Sequence, residues 1–273
     1  MAPVFAAPVL AALALAAPAP EAPLPTAPAG LARALTRAHD AVDREVDVWR
    51  AEGDPAKGGA PDPLQREALY QQRIYRHIAR RPKTARRTLR RLPARVRRRA
   101  RLTTKALASL FALSARTKVT KRSTLRIGRA QPADRLMDHY RDAQRRFKVG
   151  WHVLAAVNLV ETGFNRLRNN SVAGAQGPMQ FIPSTWRAYG MGGDIRDPRD
   201  AIMGAANYLH RSGAPGDYRR ALYAYNPSGL YVSAVLNHAR RMLRDERAFY
   251  AYYAWQIFVR TPGGGERRLT GPR

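Results

Sequence analysis

The chain contains no cysteine, which excludes disulfides, thiolate zinc sites, a cysteine nucleophile and a lipid anchored on sulfur, and leaves the redox compartment undecided. Negative charge is also scarce: 20 Asp and Glu stand against 48 Lys and Arg, a net charge of +28. An imbalance of that size needs an anionic partner or another explanation. The six histidines are scattered with no pair at ligand spacing, so neither a metal nor another cofactor is expected. Long apolar runs are missing as well. The longest, Val4 to Ala17, is interrupted by Pro8 and is too short for a comfortable spanning helix. What remains is ordinary globular material: with 45% hydrophobic residues, 12 Tyr and 4 Trp, the 273 residues can bury a core and make one or two domains, despite 20 Gly and 20 Pro.

The positive charge is concentrated. Residues 68–133 hold 21 Lys and Arg and no acid, and 14 of these fall between Arg76 and Lys105, interleaved with Leu89, Leu92, Val96 and Leu102 and interrupted by Pro82 and Pro93. Such a block reads either as a solvated helical arm that needs no partner or as an electrostatic tether to a polyanion, meaning an anionic membrane, a wall polymer or nucleic acid. Nucleic acid is not the expected partner, because a protein shaped around it spreads its cations over the folded domain. The apolar stretch Ala106 to Ala115 suits a membrane interface and a core segment equally.

Residues 1–30 have Glu21 as their single charge and otherwise resemble a secretory apolar region followed by a Pro-rich spacer, although no Lys or Arg precedes it. Secretion or attachment to the cell envelope is the expectation, beside the alternative of an uncleaved leader. From Leu31 to Glu52 the apolar spacing is helical, and a second helix is expected after Asp62, Pro63 and Gln65, which have the pattern of an N-cap, a first-turn proline and a capping-box partner. Beyond Gln131, helices are expected over Pro132 to Phe147, from Trp151, from Pro183 to Gly190, after Asp197, after Asp217 and after Ser228. The aromatic group from Phe249 to Phe258 suits packing better than a glycan platform, and Gly263 to Gly265 reads as part of a flexible tail. The expected divisions are a leader over 1–30, a basic helical region over 31–130, a catalytic domain over 131–250 and an aromatic segment with its tail over 251–273.

One helix carries a chemical anomaly. In the stretch from Trp151, the apolar stripe of Leu154 and Val157 continues at Glu161, so a carboxylate stands where a core residue belongs. Gly163 is the expected helix stop, which puts Glu161 in the last turn, where desolvation and the carbonyl end of the helix both favour the protonated form. A general acid needs those conditions. The bland alternative is a carboxylate satisfied by Arg166 or Arg168. Downstream, residues 171–186 pack glycine and proline turns around the amide of Gln180, in a segment too polar for a core element, and a later helix delivers Tyr225 and Asn226 to its end at Pro227.

Glu161, Ser171, the run Gly174-Ala175-Gln176-Gly177-Pro178-Met179-Gln180, Pro183-Ser184-Thr185 and Ala224-Tyr225-Asn226 together resemble the catalytic domain of lytic transglycosylases, goose-type lysozyme-like enzymes that cleave peptidoglycan. The resemblance covers roughly residues 134–245, and Pro227-Ser228-Gly229-Leu230-Tyr231-Val232 has an actinobacterial look. There are departures: Ser171 lies one residue further from the acid than in the soluble enzymes, Pro178 replaces Leu, and Thr162 replaces Ser. The resemblance implies a mainly α fold, a lysozyme-like helical domain preceded by a basic helical arm, and a monomer. It also implies that Glu161 acts alone as acid and then base, forming a 1,6-anhydro muramic product from the glycan strand, with Ser171, Gln180, Tyr225 and Asn226 holding substrate and Tyr225 closest to the acid. The rivals are a hydrolytic muramidase of the same fold, with Asp194 or Asp217 positioning water, and a non-catalytic wall or polyanion binder. Asp197 and Asp200 read as helix caps.

Overall fold

The computed structural model describes residues 22–116, 125–261 and 265–269. Most of the leader lies outside these residues, and Pro28 already opens the first helix. The chain is mainly helical, with eleven helices among the described residues. Four precede the long connection to the second half: α1 (Pro28–Glu52), α2 (Asp62–Ala79), α3 (Pro82–Arg90) and α4 (Ala94–Ser114). Seven follow: α5 (Ala133–Phe147), α6 (Trp151–Thr162), α7 (Pro183–Tyr189), α8 (Pro198–Arg211), α9 (Tyr218–Tyr225), α10 (Gly229–Arg244) and α11 (Arg247–Tyr253).

The two prolines of the basic block act as helix starts: Pro82 sits in the first turn of α3, and Pro93 is the residue before α4. Asp197, Asp217 and Ser228 each accept a backbone N–H from the turn they precede, so α8, α9 and α10 begin where capping residues stand in the sequence. The expected capping box of α2 does not form. Asp62 is already helical without a side-chain cap, and Gln65 Nε2 donates backward to the Ala60 carbonyl at 2.7 Å.

Helix α6 is apolar nearly all round, with Val153, Leu154, Ala155, Ala156 and Val157 buried, as a central helix must be. It packs against α5, α8, α10 and α11, while α10 also lies along α4. The basic segment is thus built into the body: α2 and α4 pack on each other, and Ser109 Oγ donates to Ser233 Oγ at 3.0 Å across the α4–α10 seam. Val96, Ala100, Ala106 and Leu107 of α4 are buried, so the apolar stretch after the basic block joins the core. Each large side chain so buried contributes roughly 1.5–3 kcal/mol, and it is this burial that holds so cationic a helix in place. Arg95 and Arg99 reinforce it through Asp40 and Asp43 on α1, at 2.7 and 2.6 Å.

Where a tail was expected, β1 (Ile257–Arg260) and β2 (Glu266–Leu269) pair antiparallel, with Ile257 opposite Leu269 and Arg260 opposite Glu266. Gly263 and Gly264 lie outside the described residues. Phe249, Tyr250, Tyr252, Tyr253 and Trp255 are buried in the core, and Phe258 alone of the aromatic group stays partly exposed, on β1. No helix among the described residues is long and apolar enough to cross a membrane.

Candidate active site

Glu161 stands in the last turn of α6, which ends at Gly163 in the left-handed region, φ +60°. Its carboxyl keeps a partial opening to solvent but is surrounded by protein, and desolvation lifts its pKa from 4.5 to about 7. A hydrogen bond from Tyr231 opposes the shift: Tyr231 Oη donates to Glu161 Oε1 at 2.7 Å. The nearby arginines are occupied elsewhere. Arg166 donates to the carbonyls of Gly163 and Trp255 at 2.8 and 2.5 Å, and Arg168 donates to the Arg129 carbonyl at 2.8 Å. No cation among the described residues offsets the cost of ionising Glu161, so its proton is held well above the usual carboxylate range.

The loop opposite the acid is fixed by hydrogen bonds to its carbonyls. Asn158 Nδ2 and Thr162 Oγ1, on α6, both donate to the Pro178 carbonyl at 2.9 and 2.8 Å, while Asn158 Oδ1 accepts from buried Tyr140 at 2.6 Å. Thr162 keeps the hydroxyl that serine would offer, and that hydroxyl holds the loop. Gln176 and Phe181 exchange backbone bonds of 2.8 and 2.9 Å, closing a tight turn around Gly177. Gly177 has φ +74°, and a Cβ there would fall 1.8 Å from the Ile195 carbonyl oxygen, so only glycine fits. Ser171 Oγ accepts from the Ala175 backbone N–H at 3.0 Å and holds the loop entrance. Gln180 adopts φ +50° with its amide donating to the Gly177 and Asn169 carbonyls at 3.0 and 3.3 Å.

Glu161, Ser171, Gln180 and Asn226 line a single cleft of about 660 Å³, together with Tyr231. Tyr225 does not line it. Its hydroxyl donates to the Met179 carbonyl at 2.6 Å, and its ring lies parallel to that of Tyr231 with centroids 6.5 Å apart. The tyrosine against the acid is therefore Tyr231, reached from the first turn of α10, and Tyr225 supports the loop behind it. Nothing in the spacing singles out Tyr231 as a site residue; a buried tyrosine needs a partner for its hydroxyl, and that need is the available signal.

The rest of the cleft comes from far along the chain. Helix α4 contributes Leu107, Leu110 and Phe111, and the hairpin contributes Phe258, Val259 and Glu266. Glu266 is the second carboxylate of the cleft, and it is committed: Arg76 Nε donates to it at 3.2 Å, and both Arg76 and Arg80 form ion pairs with it. Asp194 accepts the Arg196 backbone N–H, and Asp217 caps α9 through the N–H groups of Arg219 and Arg220; neither lines the cleft. No three His, Cys, Asp or Glu side chains among the described residues are grouped to hold a metal ion.

A desolvated carboxyl thus faces a braced Gly-rich loop across a cleft. Residues 138–246 match the transglycosylase SLT domain. No curated protein and no solved structure matches the chain. The SLT domain implies a lytic transglycosylase-type activity that cleaves peptidoglycan, and so implies peptidoglycan binding and action on the cell wall. It runs from within α5 to just past α10 and contains Glu161, Ser171, Gln180, Tyr225, Asn226 and Tyr231. Helix α4 and the hairpin, which complete the cleft, lie outside it.

Proposed function

We propose that this protein is a lytic transglycosylase that cuts the β-1,4 bond between N-acetylmuramic acid and N-acetylglucosamine with Glu161 as its one catalytic carboxyl. The observation that carries the proposal is the state of the two carboxylates in the cleft: Glu161 is desolvated with a pKa of about 7, and Glu266 is ion-paired to Arg76 and Arg80. A conventional glycosidase needs two working carboxyls, one as acid and one as base or nucleophile. Here one is free to work.

In the first step, protonated Glu161 gives its proton to the bridging oxygen, the bond from muramic C1 to that oxygen breaks, and the electron pair leaves with the N-acetylglucosamine. The substrate's own acetamido oxygen supports the electron-poor C1, in place of a second carboxylate. In the second step, the Glu161 carboxylate takes the proton of the muramic C6 hydroxyl as that oxygen bonds to C1. The product is a 1,6-anhydro sugar, no water is consumed, and Glu161 returns to its starting state. Tyr231 occupies one carboxyl oxygen and limits the rotation of the acid. Ser171, Gln180 and Asn226 supply polar contacts to the sugar, and Tyr225 acts indirectly by holding the Met179 carbonyl of the loop. The apolar side chains of α4 and the hairpin restrict water near C1, which suits closure by an internal hydroxyl.

The place of action is the cell envelope, with the chain secreted or held at the wall. The hydrolytic alternative has less support, because Asp194 and Asp217 are spent on backbone N–H groups. The test is release of muropeptides from purified peptidoglycan by the wild type and by Glu161→Gln. Anhydro-terminated fragments from the wild type and none from the variant are expected. Lysis by the variant at the wild-type rate would show that Glu161 is not the acid.

A further inference from the structure

The cations of the basic segment are sorted by the fold into two populations. Arg95 and Arg99 on α4 face acids of α1, and Arg76 on α2 and Arg80 just past its end face Glu266. On α3 and the turn after it, the opposite pattern holds. Lys83, Arg86, Arg87, Arg90 and Arg91 recur at helical spacing on one exposed stripe, while Ala85, Thr88 and Leu92 bury the other face. None of these five cations forms an ion pair among the described residues. A helix surface ordinarily mixes both signs, since like charges three and four residues apart destabilise it by a few tenths of a kcal/mol per pair. That cost is carried here along a whole stripe.

The stripe runs into a concavity. Between the start of α1 and the α3–α4 turn lies an open groove of about 620 Å³, lined by Arg33, Thr36, Arg37 and Arg91 together with the small apolar Ala29, Ala32 and Pro93. Arg33 and Arg37 are exposed and form no ion pair among the described residues. The first turn of α1 contains no acid and its N-cap, Ala27, offers no side-chain cap, so the positive end of a 25-residue helix adds to the same field. Asp40, one turn beyond Arg37, is held by both arms of the Arg95 guanidinium. The groove shares no residue with the catalytic cleft.

We propose that this groove and the α3 stripe bind an extended phosphodiester polymer of the cell wall, which would hold the enzyme against its substrate while leaving the cleft free. The shape decides among polyanions. A concave groove flanked by three arginines admits a single flexible chain, whereas a planar lipid surface meets only its rim. Among the described residues, no large exposed hydrophobic side chain lies on this face to enter a bilayer, and no exposed aromatic lies there for stacking bases. What the face offers is guanidinium groups, which pair phosphate oxygens two at a time. That the polymer belongs to the wall rests on the proposed action on peptidoglycan; the groove and its charge do not.

The test compares binding of the full chain to poly(glycerol phosphate), to phosphatidylglycerol vesicles and to duplex DNA, matched in phosphate and titrated with salt. Three proteins are needed: wild type, the groove variant Arg33→Gln/Arg37→Gln/Arg91→Gln, and a control, Arg98→Gln/Arg101→Gln/Lys105→Gln, which removes equal charge from exposed positions of α4. The polymer is expected to bind the wild type most tightly. The groove variant should lose at least tenfold and flatten the dependence of log K on log salt by about 2, for three phosphate contacts at about 0.7 each, while the control loses less than threefold. Equal losses in both variants, or tighter binding to vesicles or DNA than to the polymer, would overturn the proposal. Turnover is not read, so a chain without lytic activity would contradict the enzyme reading and leave this result standing.

Discussion

Replacing Glu161 by glutamine should make the protein more stable at alkaline pH, and the size of the effect follows from the site. In the unfolded chain the carboxyl ionises near 4.5, and in the folded cleft near 7, because burial outweighs the Tyr231 hydrogen bond. A carboxyl whose folded pKa is raised binds its proton more tightly in the native state. Its contribution to stability is complete below pH 4.5 and is lost as pH rises to about 7, after which the loss is constant. At about 1.4 kcal/mol per pH unit, ionising Glu161 costs the native state roughly 3 kcal/mol. Glutamine is the same size, cannot ionise, and can still accept the Tyr231 hydroxyl through its amide oxygen. The assay is urea unfolding of wild type and Glu161→Gln from pH 4 to pH 9. All other groups titrate in both proteins, so the difference isolates Glu161: near zero at pH 4, growing through pH 5 to 7 and level above. Parallel stability curves for the two proteins would refute the premise that the acid is desolvated, and with it the reason it is protonated at working pH.

Further perturbations test other parts of the site. Tyr231→Phe removes the bond that favours the ionised acid, so the alkaline fall in kcat/KM should move to higher pH while kcat drops on the order of tenfold; an unchanged pH profile would mean the hydroxyl does not act on Glu161. Gly177→Ala puts a Cβ 1.8 Å from the Ile195 oxygen at a φ of +74° and should cost at least about 2 kcal/mol, read as a lowered Tm with loss of activity. Leu110→Arg, at a half-buried position of α4 on the cleft, should lower kcat/KM about tenfold with little change in Tm, since the arginine reaches solvent through the cleft and disturbs substrate; full activity would separate α4 from the substrate path.

How much of this was legible in the sequence depended on distance along the chain. Helix starts at Asp197, Asp217 and Ser228 were readable because capping is decided within four residues, and Gly163 was readable as a stop for the same reason. Glu161 betrayed itself by breaking an apolar stripe. Asp62 fails as a cap because the helix begins one residue earlier, so that the Gln65 backbone N–H goes to the Pro61 carbonyl at 3.0 Å, a shift of register that spacing does not distinguish. Tyr225 is the tyrosine expected nearest the acid and Tyr231 has no expected role, since both stand near one helix junction and only the packing of α10 against α6 brings Tyr231 to Glu161. The second half of the cleft was invisible. Leu110 and Phe258 stand about 50 and 100 residues from Glu161, and nothing in their own neighbourhoods ties them to the acid. The hairpin was hidden by its glycines, although Glu266, a lone acid in a basic tail, has its counterparts in Arg76 and Arg80.

The central claim is that one carboxyl cleaves the glycan without water. The direct measurement is digestion of purified peptidoglycan by the wild type in water enriched in heavy oxygen, followed by mass spectrometry of the new muramic ends. The expected products are 1,6-anhydro ends carrying no label. Reducing ends that have taken up one heavy oxygen would contradict the claim, because they require an attacking water and a group to activate it.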